Sequence, residues 1–363
     1  MLLTVLQKDL AKALNHTSRF VSARAQLPIL ANVKLLAKGT KLTIQATNLE
    51  MSCSTSIGAK MEKEGEVAVN SKVISDLVTS LRAEKITLSS EGESLKLEAE
   101  GFKGSLSGLN TSDFPEIPSS IESEIALPKE NLVSAVESTI FSCASDLGRP
   151  ALAGVLMIFK GSELSLVASD GFRLSRKTIE IKGSEDKKII LPKSILFELV
   201  RIATDAKKIS LEVKEGDKQV IFALDDTILS SRLVEGEYPP FEKIIPTTSS
   251  ISVSVDKGDF QAIVKTAAVF ARDAANVVTL QIGEDSLKVS AESARSGNQE
   301  SAVAAKVEGP VLDIPYNYRF IEEFLGVVEG VNVVMKFNNT TSPGVFLDAG
   351  DENYLHLIMP VKS

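Results

Sequence analysis

The sequence is poor in the residues that mark several classes of protein. Its 363 residues include no Trp, two Cys and two His, and only 5% are aromatic. Cys53 and Cys143 are far apart, and neither lies near His16 or His356 at the spacing of metal ligands. The sequence therefore predicts neither a disulfide framework nor a zinc site, and we expect no metal and no cofactor.

Long apolar runs are also missing. No stretch approaches the roughly 18 apolar residues of a membrane-spanning helix. The first ten residues, MLLTVLQKDL, have no basic flank followed by an apolar core, so no signal peptide is expected. The scarcity of cysteine and of apolar runs favours the cytoplasm and predicts no membrane partner. A net charge of −8 argues, by itself, against a protein that coats nucleic acid.

The sequence repeats a strand-like string three times. The strings are KLTIQAT, ELSLVAS and SLKVSAE. Their leading leucines, Leu42, Leu164 and Leu287, are separated by 122 and then 123 residues. Because apolar residues alternate with others in each string, each predicts a half-buried strand.

Two helical strings recur in the same thirds. The first trio is LQKDLAKALNHTSRF, LPKENLVSAVESTIF and VDKGDFQAIVKTAAVF, with apolar residues at helical spacing, as at Leu10, Ala13 and Leu14. The second trio is VNSKVISDLV, LPKSILFELV and IPYNYRFIEEFL. Pro192 and Pro315 are expected in the first turn of their helices. Each third thus reads as helix, strands, helix, strands.

Segments rich in Pro, Ser and Thr separate the thirds. They lie at 113–128 and 238–253. We therefore predict an α+β fold of three repeated domains, at 1–120, 121–245 and 246–363.

The charges are unevenly divided between helices and the rest of the chain. Six candidate helical segments together carry a net charge of +4, which leaves −12 for the remainder. If the sheets lay outside and the helices inside, a basic inner wall could hold a duplex through its phosphates. Solvated helix faces without a function explain the charge split equally well. The segments are 6–24, 71–82, 128–140, 193–202, 256–272 and 315–325.

Several strings, taken in order, resemble a known family. They resemble the signatures of the bacterial sliding clamp, the beta subunit of DNA polymerase III, and the resemblance covers essentially the whole chain. The strings are LPILANVKL, ATNLE, DFP, VASDGFRL, LVEGEYPPFEKIIP and HLIMPVKS.

The resemblance implies a particular architecture. Three clamp domains per chain would line a hole with helices and place antiparallel sheets outside. Two chains would close head to tail into a homodimeric ring around double-stranded DNA. The strand edge 104–109 of one chain, including Leu106, would then meet Val269 and Phe270 of the other.

The resemblance also implies a hydrophobic pocket for short peptides. Its partners would be the polymerase III catalytic subunit, the clamp loader, and repair or translesion proteins. The matching positions are Leu152, Ser169, Gly171, Phe172, Arg173, Leu174, Pro239, Lys243, Ile244, Asn317, Phe320, Val345, Leu357, Met359, Pro360 and Val361.

Individual pocket residues suggest individual roles. Met359 can adapt its shape to different ligands, and Gly171 allows a tight turn. Arg173 and Lys243 are expected at the rim, where they would attract acidic or C-terminal parts of a peptide. Pro150-Ala151 stands where the family often has aromatic residues, and Phe172 takes a place that is often His. These departures leave the peptide preference open.

Basic residues that could contact DNA follow from the resemblance and from the repeat. Arg24 and Lys72 match basic positions of the family. The remaining candidates are Arg149, Lys193, Lys12, Arg201, Lys265 and Arg272.

Two other functional classes remain as alternatives. The first is an enzyme, because Ser254 and Lys257 form an S-x-x-K string. The partner strings of that enzyme class and a Gly-rich phosphate loop are both missing, so we expect no catalysis. The second alternative is a repeat protein that binds only other proteins. A closed ring would be released from circular DNA when the DNA is linearised, whereas a protein of the second class would not respond to DNA ends.

Overall fold

The computed structural model describes residues 1–22, 27–146 and 148–362. The chain forms two compact units. Unit 1 comprises Met1–Lys129 and Phe197–Leu233, and unit 2 comprises Glu130–Leu196 and Val234–Ser363. Each unit is built around its own sheet.

The helices and strands follow the predicted order except at the start of each third. The described residues form six α-helices: α1 (Gln7–Thr17), α2 (Ser71–Ser80), α3 (Lys129–Ile140), α4 (Lys193–Ala203), α5 (Lys257–Ala271) and α6 (Tyr318–Val327). The strands of the first 127 residues are β1 (Leu2–Leu6), β2 (Asn32–Lys38), β3 (Lys41–Thr47), β4 (Met51–Gly58), β5 (Lys60–Lys63), β6 (Gly65–Asn70), β7 (Lys85–Glu91), β8 (Ser94–Ala99), β9 (Phe102–Leu109) and β10 (Ile125–Leu127). Those up to residue 256 are β11 (Gly154–Ser169), β12 (Arg173–Pro192), β13 (Ile209–Lys214), β14 (Gln219–Leu224), β15 (Thr227–Arg232) and β16 (Ile251–Asp256). The last are β17 (Val277–Ile282), β18 (Ser286–Ser293), β19 (Gly297–Glu308), β20 (Leu312–Asn317), β21 (Asn332–Phe337), β22 (Gly344–Asp348) and β23 (Tyr354–Ile358).

Unit 1 contains a thirteen-stranded sheet. Its order is β10-β13-β14-β15-β4-β3-β2-β6-β9-β8-β7-β1-β5. Helix α1 packs against α2 and against β3 and β4. Leu10, Ala13 and Leu14 are buried on the inner face of α1, as their helical spacing predicted.

Unit 2 contains a ten-stranded sheet. Its order is β11-β12-β23-β22-β21-β16-β19-β18-β17-β20. Helix α5 packs against α6, β18 and β19 over a core that includes Phe260, Phe324 and Phe346. Phe324 contacts the ring of Phe346 edge to face at a centroid distance of 5.7 Å. Such aromatic contacts add to the burial of apolar surface that stabilises the core.

Antiparallel pairing continues each sheet from one third of the chain into the next. Strand β4 of the first third pairs with β15 of the second. In the same way, β12 of the second third pairs with β23 of the third. Each sheet therefore joins residues that are far apart in the sequence.

Two expectations about the helices were wrong. Pro192 is the last residue of β12 and Pro315 lies within β20, so neither belongs to the first turn of a helix. Strand β20 is at the edge of its sheet, where a residue without an N–H can be accommodated. Helix α6 instead begins at Tyr318, and its N-cap, Asn317, accepts a hydrogen bond from the N–H of Arg319. A short strand also precedes the first helix of each third: β1, β10 and β16.

The first helical segment is shorter than expected. Residue Leu6 ends β1, α1 ends at Thr17, and a 3₁₀ turn follows at Ser18–Phe20.

Among the described residues, no helix is both long and apolar enough to cross a membrane. Within the same residues, no group of three or more His, Cys, Asp or Glu side chains could hold a metal ion.

Candidate functional site

Three of the predicted pocket residues form an apolar floor in unit 2. Leu174, Val345 and Leu357 belong to one buried cluster, together with Phe241. They come from β12, β22 and β23, which pair side by side. Leu152 is also buried, in the 3₁₀ turn Pro150–Ala153. The floor is thus assembled by sheet pairing between the second and third thirds of the chain.

Other predicted pocket residues are more exposed. Phe172 is 63% exposed and Ile244 is 47% exposed. The N–H of Met359 donates to the carbonyl of Phe172 at 2.8 Å, and this bond ties the end of the chain to the pocket. The other exposed members are Gly171, Pro239 and Lys243, and the half-buried ones are Asn317, Phe320, Met359, Pro360 and Val361.

The residues Ser169–Arg173, here called the unit 2 turn, are shaped by two polar side chains. The Ser169 hydroxyl accepts from the N–H of Gly171 and donates to the carbonyl of Arg173. The Asp170 carboxylate accepts from the N–H groups of Phe172 and Arg173 at 2.9 and 3.0 Å. Gly171 has φ +91°, a conformation that L-residues rarely adopt. These bonds hold Phe172 outward and Leu174 inward.

Arg173 does not lie at the rim, contrary to the sequence prediction. Its side chain is only 8% exposed. The guanidinium donates to the Asp170 carboxylate at 3.1 Å and to the Phe141 carbonyl at 2.6 Å, and it pairs with Glu323. It also lies 4.4 Å from the ring centroid of Phe320. Because burying a charge requires such partners, Arg173 is held between the turn and Phe320, and its contact with a peptide stays a prediction.

Sequence reasoning missed the residues that hold Arg173. Phe141, Asp170 and Glu323 lie in three separate stretches of the chain. Asp170 was recognisable as a turn residue, but Phe141 follows α3 and Glu323 lies on α6, so their meeting could not be predicted from local spacing. Phe241 was also missed, although its string YPPF contains the aromatic residues that pack beside the floor.

A buried polar chain lies next to Arg173. The Ser142 and Ser175 hydroxyls are 2.8 Å apart, and Ser175 Oγ is 2.8 Å from His356 Nδ1. Burial, with a smaller contribution from the Arg173 charge, lowers the pKa of His356 to about 3, so the imidazole is neutral at pH 7. This Ser–His pair is closed to solvent, since His356 and Ser175 are both fully buried.

The S-x-x-K string shows no catalytic arrangement in the described residues. Lys257 begins α5, and its ammonium donates to the carbonyl of Val328. Ser254 lies in β16, a strand paired on both sides. The lysine is thus engaged with the backbone.

Two of the predicted DNA-contacting cations of unit 1 already have anionic neighbours. Lys12 Nζ is 3.1 Å from Asp205, and Arg201 Nε donates to Glu198 at 2.8 Å. Lys72 is exposed on α2, and no ion pair involves it within the described residues. Arg24 lies outside the described residues. A role in DNA contact stays a prediction for each of these cations.

The predicted cations of unit 2 lie in different places. Arg149 is exposed beside the unit 2 turn, where its guanidinium donates to the Asp170 carbonyl at 3.2 Å. Lys193 begins α4 and donates to the Ala144 carbonyl at 3.4 Å. Lys265 lies exposed on α5, and the exposed Arg272 caps that helix. Arg149 is therefore closer to the pocket residues than its predicted role suggested.

Strand edges are open where the resemblance placed a dimer contact. In unit 1, the half-buried Leu106 lies on β9, and β9 pairs with β6 only at Gly108 and Leu109 among the described residues. In unit 2, β19 pairs with β18 over Gly297–Ala304 and with β16 beyond that point. Val269 is exposed on α5 and Phe270 is half-buried.

Comparison with known proteins identifies the family of the chain. Models of the DNA polymerase III beta subunit match in order: the N-terminal domain at 1–118, the central domain at 126–240 and the C-terminal domain at 242–362. The beta sliding clamp of Staphylococcus aureus is 28% identical over 363 aligned residues, covering 96% of both chains.

Solved structures show the same fold. The DNA polymerase III beta subunit of Thermotoga maritima matches with a TM-score of 0.93 and 26% identity, over 100% of this chain and 99% of that one. The DNA polymerase sliding clamp of Bacillus subtilis matches with a TM-score of 0.96 and 24% identity, over 100% and 99% of the two chains. With three clamp domains that span nearly all of its length, the chain belongs to the DNA polymerase III beta subunit family, the family of the beta sliding clamps.

Proposed function

We propose that the chain is a DNA sliding clamp of replication that tethers its partners through the pocket of unit 2. The family assignment supports the clamp role. The observation that supports the tethering role is that exposed Phe172 and Ile244 accompany a buried apolar cluster containing Leu174, Val345 and Leu357. A short peptide with apolar anchors fits such a surface.

Two copies of the chain would close head to tail into a ring around duplex DNA. The open edge of β9 in one copy and the region of β19, Val269 and Phe270 in the other are suited to this contact. Pairing the edges would remove unpaired backbone groups. The domain boundaries that we propose for this arrangement are 1–120, 121–245 and 246–363.

The partners would be double-stranded DNA, the polymerase III catalytic subunit, the clamp loader, and repair or translesion proteins that carry clamp-binding peptides. The chain would act without catalysis and without a cofactor, in the cytoplasm, where the family's replication role is carried out. Arg149, which lies exposed beside the unit 2 turn, takes over the rim position that we first assigned to Arg173. Lys243 remains the second rim cation.

Closure would convert weak DNA contact into long residence. An acidic protein with few cations binds DNA only through sequence-independent contacts with the phosphates, and we expect a Kd on the order of 10⁻⁴ to 10⁻⁶ M for this contact alone. A closed ring leaves DNA only by opening or by sliding off an end. The pocket would then keep the polymerase at a high effective concentration beside its template.

The pocket is tested by replacing Leu174 and Met359 together with Ala. Loss of two apolar contacts should weaken peptide binding on the order of 100-fold and abolish polymerase stimulation. Dimerisation, measured as solution mass at about twice the 39.0 kDa of the chain, should persist.

Val331→Ala is the matched control, because Val331 is an exposed apolar residue outside the pocket. It should leave stimulation unchanged. Stimulation that survives in the double variant would refute the pocket assignment.

A further inference from the structure

A polar cleft lies in unit 1, where residues of the first and second thirds of the chain meet. Its volume is about 200 Å³, and it is here called the unit 1 cleft. Helix α1 contributes Asp9 and Lys12. The second third contributes Asp205, which follows α4, and Asp225 and Asp226 in the turn between β14 and β15. Because a cavity of roughly 150 Å³ can already admit benzene, the cleft has room for a small organic molecule.

Carboxylates dominate the lining of the cleft. Lys12 Nζ lies 3.1 Å from the Asp205 carboxylate, and Lys41 Nζ donates to Asp226 at 2.7 Å. All four of these side chains are at least half exposed, so the two pairs hold their carboxylates only weakly. Asp9 forms no ion pair within the described residues. The unit 1 cleft therefore offers acceptors to a further cation that donates hydrogen bonds.

His16 lines the same cleft and is only 7% exposed. Its Nδ1 has no hydrogen-bond partner within the described residues, and its Nε2 lies 4.0 Å from the Asp205 carboxylate, beyond hydrogen-bond distance. Burial, with smaller contributions from the charges of Arg201 and Lys12, lowers the pKa of His16 to about 4, so the imidazole is neutral at pH 7. A neutral imidazole has one nitrogen that accepts a hydrogen bond. Since hydrogen bonds from nitrogen are about 2.9 Å long, one ammonium can reach both Nε2 and Asp205.

Unit 2 has an ammonium of its own at the equivalent joint between thirds. The N–H groups of Ser56 and Thr178, which are 122 residues apart, each donate at 3.0 Å to a carbonyl at the start of the following strand, β15 or β23. One residue earlier, Thr55 of unit 1 corresponds to Lys177 of unit 2. The Lys177 side chain is only 13% exposed, and its ammonium pairs with Asp351. The joint of unit 2 thus encloses an alkylammonium, whereas unit 1 has the hydroxyl of Thr55 at this position.

We propose that the unit 1 cleft binds a small aliphatic diamine, one ammonium of which takes the part that Lys177 plays in unit 2. This ammonium would donate to the Asp205 carboxylate and to Nε2 of His16, and the other would meet the remaining carboxylates. Thr55 and Thr227 line the cleft, and their hydroxyls, which are 3.1 Å apart, offer further acceptors. Because the lining comes from two thirds of the chain, the bound diamine would link them and stabilise unit 1.

The test is a titration of the full-length protein with putrescine at pH 7 and an ionic strength of about 0.15 M, which screens non-specific attraction. The chain has two His, so imidazole NMR reports on the cleft through His16 and on unit 2 through His356. We expect the His16 signals to move and saturate while the His356 signals stay still. The uncharged diol of the same length and Mg²⁺ should leave the His16 signals in place. His16 signals that do not respond to putrescine, or that respond equally to Mg²⁺, would overturn the proposal.

Two substitutions in the cleft should change the affinity for putrescine in opposite directions. Asp205→Asn should weaken binding at least about tenfold, because it removes the carboxylate nearest to His16. Lys12→Gln should strengthen binding, since Lys12 pairs with Asp205 and competes with the ligand. Asp217→Asn is the matched control, because Asp217 is exposed outside the cleft and its loss changes the net charge equally. Equal affinities of the Asp205→Asn and Asp217→Asn variants would show that putrescine binds through overall charge alone and would overturn the proposed site.

Discussion

The residues Thr47–Met51, here called the unit 1 turn, share their backbone hydrogen bonds with the unit 2 turn, but the strands that follow the two turns carry different residues. In both turns, a hydroxyl and an Asn or Asp side chain accept hydrogen bonds from N–H groups at equivalent positions. In unit 2, the strand that follows carries the buried Arg173 and Ser175, and it pairs with His356. In unit 1, the equivalent residues are Met51, Cys53 and Leu229. The same local hydrogen bonds thus form both turns over different neighbouring residues, and we expect those neighbours to determine how strongly each turn is held.

The comparison is sharpened most by truncating the last residue of each turn, which is Arg173 in unit 2 and Met51 in unit 1. Arg173→Ala removes the guanidinium that pairs with Asp170 and Glu323 and donates to the Phe141 carbonyl, so we expect a loss of about 2–4 kcal/mol in the free energy of unfolding. Met51→Ala should cost no more than about 1 kcal/mol, because Met51 forms no such network among the described residues. Denaturant unfolding followed by circular dichroism measures both. Equal losses would show that the Arg173 network does not distinguish the two turns.

Acid should affect the unit 2 turn more than the unit 1 turn. The pKa of His356 is lowered to about 3 by burial, whereas the unfolded chain should titrate near 6.5. The unfolded state therefore binds a proton that the folded state does not as pH falls below 6.5. Between pH 6.5 and pH 3, the contribution of His356 to the free energy of unfolding therefore falls by about 1.4 kcal/mol for each pH unit.

His356→Leu places at this position the residue that unit 1 has at Leu229. Between pH 7 and pH 5, the free energy of unfolding should fall by about 2 kcal/mol less in the variant than in the wild-type protein. Unfolding curves at the two pH values give the difference, in which the titration of all shared groups cancels. Identical losses in the two proteins would mean that His356 is not held neutral by the fold.

The smallest effects concern the residue at the positive φ of each turn, which is Gly171 at +91° and Leu49 at +75°. Gly171→Ala should cost about 1 kcal/mol, because Ala is strained at φ +91°. The added Cβ would also come within 2.9 Å of the Arg149 guanidinium. Leu49→Gly should change the stability by less than about 1 kcal/mol, since relief of strain offsets the greater freedom of Gly in the unfolded chain. Thermal melts of the two variants measure this contrast, and a large loss for Leu49→Gly would identify Leu49 as a packing residue.

The sequence alone predicted the elements that depend on local periodicity. The spacing of Leu10, Ala13 and Leu14 predicted the buried face of α1, and alternation predicted β3 around Leu42. Both signals arise within a few residues, because a helix or a strand repeats its inward face over that distance. The apolar floor of the pocket was also predicted, but only through the resemblance to the family.

The features that depend on distant pairing could not be predicted in this way. Pro315 in a helical string reads as a helix start, yet its position at a sheet edge follows from the pairing of β20 with β17. An Arg beside an exposed turn reads as a rim residue, yet Arg173 is buried by Phe141 and Phe320. In both cases the tertiary environment overrides the local pattern.

Retention on DNA tests the central claim, that the chain forms a closed ring on a duplex, most directly. The protein is loaded onto a nicked circular plasmid, separated from free protein by gel filtration, and followed before and after the plasmid is linearised. A closed ring should stay with the circle and be released by linearisation, because it slides off the new ends. Equal retention on the circular and linear plasmids would contradict the account.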